Sequence, residues 1–361
     1  MKRLIIAKTN YQIIFAMQMK NTIFKDDYVT MLVCDHSIDA DIYAARLNEL
    51  QIFSELHFVV TMGACDVRTK RQKIEDFFDI TFRQNNRYRN FTKSLVEKKY
   101  DEMIVYNYTI ETYGIHALLS QYNRSISVSR YEEGILSYNG YNMLTGRRKL
   151  INNLRKIQGK PSIEDCLKNF YCFYPQLYQD NLIPCFVPLI KQNDSIIVLI
   201  KKTFNVGSRK QQYNEKYIFF TSVYDFEGGK SVGEYELVCK IADLVGKNNL
   251  LVKTHPRDTR TIYIDNGFNV DENSAIPWEA IQLSGDFSGK IFMTLNSGSV
   301  LAGSTMSEKP IKTYFMYKLC DFSENSGCLR TVSNIESLLS KDSMQEVLRT
   351  VKIAEKIEDI L

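Results

Sequence analysis

Leu4-Ile5-Ile6-Ala7-Lys8-Thr9-Asn10-Tyr11-Gln12-Ile13-Ile14-Phe15-Ala16-Met17-Gln18-Met19-Lys20, followed by Tyr28-Val29-Thr30-Met31-Leu32-Val33-Cys34, decides the fold. Leu4–Ala7 is a short unbroken apolar run, as in a strand buried on both faces. Lys8-Thr9-Asn10 is a polar loop, and Tyr11–Lys20 reads as a helix. Tyr28–Cys34 is a second apolar strand. Strand, helix, strand is the crossover unit of a parallel sheet.

The alternation continues outward. A helix is expected near Asp39–Leu50 and a strand at Phe53–Val60. Helical patterns fill 66–78 and 85–98. A strand follows at Glu102–Tyr106, a helix at 111–122, and a strand at Ile126–Tyr131 that ends in Glu132-Glu133-Gly134. This is a Rossmann-like half. Residues 140–190 change character, first basic (Arg147, Arg148, Lys149, Arg155, Lys156), then rich in aromatics and proline, so the first domain is placed at 1–190.

A second half repeats the pattern: strand Tyr217–Thr221, helix Glu234–Leu244, strand Asn249–Thr254, a short helix from Ile276 to Leu283, strand Lys290–Leu295, helix Val300–Ser307 and a last strand Pro310–Phe315. It is placed at 191–333, with a helical tail at 334–361. The fold class is therefore α/β, with two Rossmann-like domains facing a central cleft.

Composition sets outer bounds. The chain has 361 residues, 44% hydrophobic and 24% charged, which excludes a disordered chain, a collagen and a coiled coil. Its net charge is only +4. A dedicated nucleic-acid binder needs a concentrated basic surface, so no nucleic-acid partner is expected. No run reaches the ~18 apolar residues that span a bilayer. Met1-Lys2-Arg3 and the apolar residues after it look like a signal peptide until Lys8 interrupts them. The protein is read as cytoplasmic. Eight scattered cysteines without a CxxC pair read as reduced, mostly buried thiols.

Three elements carry chemistry. Val252-Lys253-Thr254-His255-Pro256-Arg257 places a histidine at a strand's C-terminal end, where open α/β sheets bind ligands. Pro256 stiffens the loop, and Lys253 and Arg257 make the local field suit a phosphate. An imidazole can donate a proton or hydrogen bond to a leaving phosphate. The alternative is a histidine that only caps a strand end. Glu132-Glu133-Gly134 ends a strand in the other half, and partial burial beside a like charge suits a carboxylate to act as a base. The alternative is a solvated acidic turn. Asn296-Ser297-Gly298-Ser299, between strand and helix, offers hydroxyls and N–H groups to an anion. Its continuation nearly fits a phosphate-binding ATPase loop, but Ser304 stands where the lysine should be. Asp39-Ala40-Asp41 has the spacing of metal-dependent transferases, yet it sits where acidic residues favour a helix start, so no metal site is assigned. The basic runs Arg68–Lys73 and Arg147–Lys156 read as solvated faces. The second reading is peripheral contact with an anionic membrane.

The set, in this order, resembles bacterial sialyltransferases. Lys8-Thr9-Asn10-Tyr11-Gln12 looks like the Thr-Pro-Tyr-Gln start of glycosyltransferase family 52, the lipooligosaccharide and capsule sialyltransferases, with Asn10 in place of the usual proline. Ile276-Pro277-Trp278-Glu279 is similar to that group as well. The resemblance implies a GT-B fold and inverting, metal-independent transfer of sialic acid from CMP-sialic acid to a sugar hydroxyl of a surface glycan, with no cofactor. By motif, it makes Glu133 the general base. His255 becomes the acid or hydrogen-bond donor to the departing CMP. Lys253, Pro256, Ser297, Gly298 and Ser299 fall on the phosphate side, Glu279 near the cytidine or ribose, and Asn10 and Gln12 in the substrate-binding set. Asp225 and Glu227, in a second acidic-Gly turn, are the alternative bases. Base and acid on different halves imply cleft closure. The partners are then a nucleotide-sugar donor and a glycan acceptor, at the inner face of the plasma membrane if the basic runs meet lipid, with a homodimer left open. Two rivals remain: a CMP- or CDP-linked transferase for a teichoic-acid-like polymer, and a nucleotide-binding module that has lost catalysis.

Overall fold

The computed structural model describes residues 1–60, 69–83, 95, 98–134, 137–138, 146–191, 193–207, 213–225, 231–273, 276–307, 311–323 and 326–361. They form two compact units, Met1–Glu133 with Gly140–Pro188, and Gly134–Asn139 with Leu189–Leu361. The boundary expected at 190 thus misses an excursion, because the chain leaves the first unit immediately after Glu133.

The first unit holds a seven-stranded sheet in the order β3-β2-β1-β4-β5-β6-β7. Its strands are β1 (Lys2–Ala7), β2 (Tyr28–Cys34), β3 (Glu55–Val59), β4 (Glu102–Val105), β5 (Ser127–Tyr131), β6 (Leu167–Cys172) and β7 (Ile183–Phe186). All neighbours pair in parallel. β1 runs in register with β2 from Lys2–Tyr28 to Ala7–Val33 and is buried from Arg3 to Ala7. The helix Asn10–Asn21 exposes no broad polar face: Tyr11 through Met19 are all buried, Gln12 and Gln18 included. Leu4, Ile6, Leu32, Val105, Leu118 and Val128 belong to one core cluster of this unit.

The second unit holds a parallel sheet of six strands, β10-β9-β8-β11-β12-β13. They are β8 (Tyr217–Phe220), β9 (Leu250–Lys253), β10 (Asn269–Val270), β11 (Ile291–Thr294), β12 (Lys312–Phe315) and β13 (Val351–Ile353). Trp278 packs edge-on against Phe220, Phe287 and Phe292 beneath it.

Several expectations need correction. The segment 140–190 supplies two strands, β6 and β7, that complete the first sheet. The tail is not all helical: after the helices Ser326–Leu339 and Asp342–Val347 it returns as β13 beside β12. The helix Ser195–Phe204 and the strand β10 were not expected. The helix expected from 66 runs from Lys70 to Phe78 and continues as a π-helical turn, Asp79–Arg83. Most of the second helical stretch, 85–98, lies outside the described residues, as does Arg68.

The basic cluster is not one solvated face. Arg155 is 3% exposed, and its guanidinium donates to the Pro161 and Ile80 carbonyls and to Ser120 Oγ. Lys156 pairs with Glu164 and Asp165, while Lys149 remains exposed. The Arg147 side chain lies outside the described set. Of the described cysteines, Cys34 and Cys172 are buried, and Cys166, Cys185, Cys239 and Cys320 are partly exposed. Among the described residues, no helix is long and apolar enough to cross a membrane.

Candidate active site

In each sheet the strand order reverses beside the first strand, between β1 and β4 and between β8 and β11. Loops leaving the carboxyl ends there part to opposite faces and open a crevice, the usual ligand site of such sheets. Every sequence-selected element within the described residues leaves the carboxyl end of a strand or begins the helix after one.

In the first unit the loop after β1 begins with Lys8. Its ammonium meets Thr109 Oγ1 at 3.0 Å and Glu111 Oε2 at 3.3 Å, tying the β1 loop to the β4 loop across the reversal. Burial works against the Glu111 charge, but Lys8 and the Thr109 hydroxyl outweigh it and hold the carboxyl below its usual range. Burial, with Lys8 second, pushes His36 down, which favours the neutral imidazole. Thr9 caps the helix Asn10–Asn21, its hydroxyl accepting from the Gln12 N–H. Asn10 is the first helical residue, a position whose N–H has no helical partner, which is why proline also suits it. Its Oδ1 is buried without a hydrogen-bond partner among the described residues.

The two adjacent glutamates at the end of β5 have different environments. Glu132 is 1% exposed, accepts from Tyr11 Oη at 2.6 Å and the Phe173 N–H at 2.9 Å, and its own N–H donates to the Tyr171 carbonyl. It is built into the sheet. Glu133 is half-buried, and Thr9 Oγ1 donates to its Oε1 at 2.6 Å. Gly134 follows at φ +77°, a left-handed conformation that favours glycine and turns the chain away from β5. Gln12, expected to bind substrate, is instead buried: its Oε1 accepts from the Lys8 N–H at 2.7 Å and from Tyr131 Oη at 3.1 Å. Burial first, then the Glu133 charge, raises the Tyr131 hydroxyl well above its ordinary value.

In the second unit His255 leaves β9. Its backbone N–H donates to Thr221 Oγ1 at the end of β8, 2.9 Å away, and its Nδ1 accepts from the Arg257 N–H at 3.1 Å. With Nδ1 accepting, the proton of the neutral ring sits on Nε2, so the ring presents an N–H donor. Pro256 is exposed in the turn closed by the Asp258 N–H on the His255 carbonyl. Lys253 was expected on the phosphate side. It is 6% exposed, pairs with Asp271 Oδ2 at 3.0 Å, and lies over the Trp278 ring. Asp271 follows the two-residue β10, too short to read from sequence.

Ser297, Gly298 and Ser299 form the loop after β11, with Ser297 and Ser299 half-buried and Gly298 exposed. Asn296 and Tyr224 bond each other, joining the loops after β11 and β8 across the reversal. Ser299 and Glu279 are brought together: burial pushes the Glu279 carboxyl up, and the Ser299 hydroxyl and Lys253 partly offset this.

Asp225 is engaged elsewhere. Its carboxylate accepts from the Ser231 hydroxyl and from the Val232 and Tyr235 N–H groups, so it caps the helix Glu234–Val245. Glu227 lies outside the described residues. Asp39 sits at φ +61° before the helix Ala40–Glu49, and Asp41 is in its first turn. Among the described residues, no group of three or more His, Cys, Asp or Glu is placed to hold a metal. Thr9 and Tyr11 stood in the opening motif without a role of their own, and Thr221 and Tyr224 were not chosen as site residues; the signal for these two was their place at the end of β8.

The alpha-2,8-polysialyltransferase family model matches residues 3–280. The chain belongs to this family. It is therefore a sialyltransferase, as the motifs suggested, acting between a nucleotide-sugar donor and a glycan acceptor. No curated protein matches it in sequence. Among solved structures, an alpha/beta-galactoside alpha-2,3-sialyltransferase from the marine bacterium Photobacterium phosphoreum is similar over 100% of this chain and 99% of its own, at 13% identity and a TM-score of 0.51. A spinosyn rhamnosyltransferase is similar over 98% and 97%, at 9% identity and a TM-score of 0.49. The first likeness speaks for the fold. With two parallel-sheet Rossmann-like units, this polysialyltransferase-family chain is a GT-B glycosyltransferase.

Proposed function

We propose that this chain transfers sialic acid from CMP-sialic acid to a sugar hydroxyl of a surface glycan, with inversion and without a metal or other cofactor. The family's name points to a sialic acid residue as that acceptor. Glu133 takes the proton of the acceptor hydroxyl as its oxygen attacks the anomeric carbon. The bond from that carbon to the phosphate oxygen breaks, and CMP leaves with the bonding electrons. A single displacement inverts the centre. The His255 Nε2–H donates to the departing phosphate, and the Ser297 and Ser299 hydroxyls with the Gly298 N–H hold it. Glu279, beside Ser299, faces the nucleoside.

The observation that carries this reading is the division between the two glutamates. Glu132 is buried and bonded to Tyr11 Oη and the Phe173 N–H, whereas Glu133 is half-buried and accepts from the Thr9 hydroxyl, a setting that suits it to act as the base. Asp225 is disfavoured by its cap contacts.

A thermal-shift panel tests the donor side, since a ligand that binds only the folded state raises apparent stability with its affinity. CMP should stabilise the chain selectively over CDP, UDP and GDP. Preference for UDP or GDP removes the reading, and stabilisation by CMP without turnover of CMP-sialic acid identifies a binding module instead.

A further inference from the structure

We propose that the first turn of the helix Asn10–Asn21 is the positioning element for the base, with Thr9 as its contact residue. The inference rests on the reading of Glu133 as the base and goes beyond it.

Three consecutive residues at the end of β5 are each matched by a residue of this one turn. Tyr131 Oη donates to Gln12 Oε1 at 3.1 Å, Tyr11 Oη donates to Glu132 Oε1 at 2.6 Å, and Thr9 Oγ1 donates to Glu133 Oε1 at 2.6 Å. β4 lies between β1 and β5, so the turn reaches over one strand to make these contacts. The single Tyr131 hydroxyl proton is shared between Gln12 Oε1 and the Ile6 carbonyl, the latter at 2.7 Å. Two neighbouring carboxylates could exchange places in a loosely held turn, but here each has its own hydroxyl donor.

The Thr9 hydroxyl has one proton. Its oxygen accepts from the Gln12 N–H at 3.4 Å, which turns that proton toward Glu133. A hydrogen bond donated to a carboxylate favours the charged form. The helix N-terminus behind Thr9 carries partial positive charge and acts in the same sense. Thr9 therefore fixes where Oε1 lies, and its hydrogen bond favours the charged carboxylate that takes the proton. The threonine and tyrosine of the opening motif and the two glutamates form one device, split in sequence and joined in space.

The test is the pH dependence of kcat/KM for Thr9→Val and Thr9→Ser, with CMP-sialic acid and a sialylated acceptor. In Thr9→Val the acid limb should move up by roughly half to one pH unit and kcat should fall about tenfold, with the donor KM unchanged. Thr9→Ser should restore both. A Thr9→Val enzyme with the wild-type acid limb and rate overturns the inference, even if its melting temperature drops from the lost cap. Thr9→Gly, a tolerated cap residue without a hydroxyl, gives the same readout if Thr9→Val does not fold. Glu133→Gln in the same series separates the two levels. If it stays active, the base assignment fails. If it is inactive while Thr9→Val titrates as wild type, only the positioning role fails.

Discussion

The backbone N–H of Ser222 points between the two carboxylate oxygens of Glu234, at 2.8 and 3.0 Å, and Glu234 is fully buried. Burial pushes this carboxyl up to about 8, with the Ser222 N–H opposing and the nearby Asp225 adding to the shift. The ordinary value is 4.5, so the folded state keeps a proton that the unfolded chain has lost. The resulting stability is complete below about pH 4.5 and is lost as pH rises through about 8. Within that window each pH unit costs at most about 1.4 kcal/mol. Melting curves from pH 5 to 8 should fall more steeply for the wild type than for Glu234→Gln; equal slopes contradict this.

The division between Glu132 and Glu133 predicts opposite phenotypes. Glu132→Ala strands the Tyr11 hydroxyl and the Phe173 N–H and should destabilise the fold by about 1–3 kcal/mol. Glu133→Gln should keep wild-type stability to within about 0.5 kcal/mol and lose transfer by roughly 10²- to 10⁴-fold. Denaturant melts beside initial rates measure both, and the reverse pattern assigns the base to Glu132.

How much of this was legible in sequence differs between elements. β1, β2, β8 and β9 announce themselves because parallel strands buried on both faces are unbroken apolar runs. β7 does not: it is an edge strand, mostly exposed, with Pro184 in its ladder opposite Phe170, and a proline within a run argues against a strand until the edge is known. β13 has only three residues after two helices. The motif positions were readable because ligand sites gather at strand ends, but roles within them were not. Glu132 and Glu133 are the same residue type side by side, and distant partners, Tyr11 and the Phe173 N–H for one and Thr9 for the other, tell them apart. Lys253 looked like a phosphate contact because its partner, Asp271, is 18 residues away behind a two-residue strand.

Asp225 as a helix cap gives another expectation. Asp225→Ala should lower stability by about 0.5–2 kcal/mol, the usual loss for a removed cap, and leave the acid limb of the rate profile in place. A displaced acid limb with unchanged stability returns Asp225 to the list of bases.

Gly303 is required by packing. A Cβ there would lie 2.1 Å from Gln282 Nε2, and Gln282 is itself buried. Gly303→Ala should destabilise by about 1–3 kcal/mol. Adding Gln282→Ala should recover at least half of that, because the clash is between these two residues. Denaturant midpoints of the four chains form the double-mutant cycle, and simple additivity contradicts the contact.

The most direct measurement follows CMP release and sialic acid transfer together, from CMP-sialic acid to a sialylated acceptor, for the wild type and His255→Ala. One CMP should be released per sialic acid transferred, undiminished by a metal chelator, with a loss on the order of 10²-fold or more in His255→Ala. An unchanged rate in His255→Ala, or turnover of a CDP-linked donor but not of CMP-sialic acid, would contradict this.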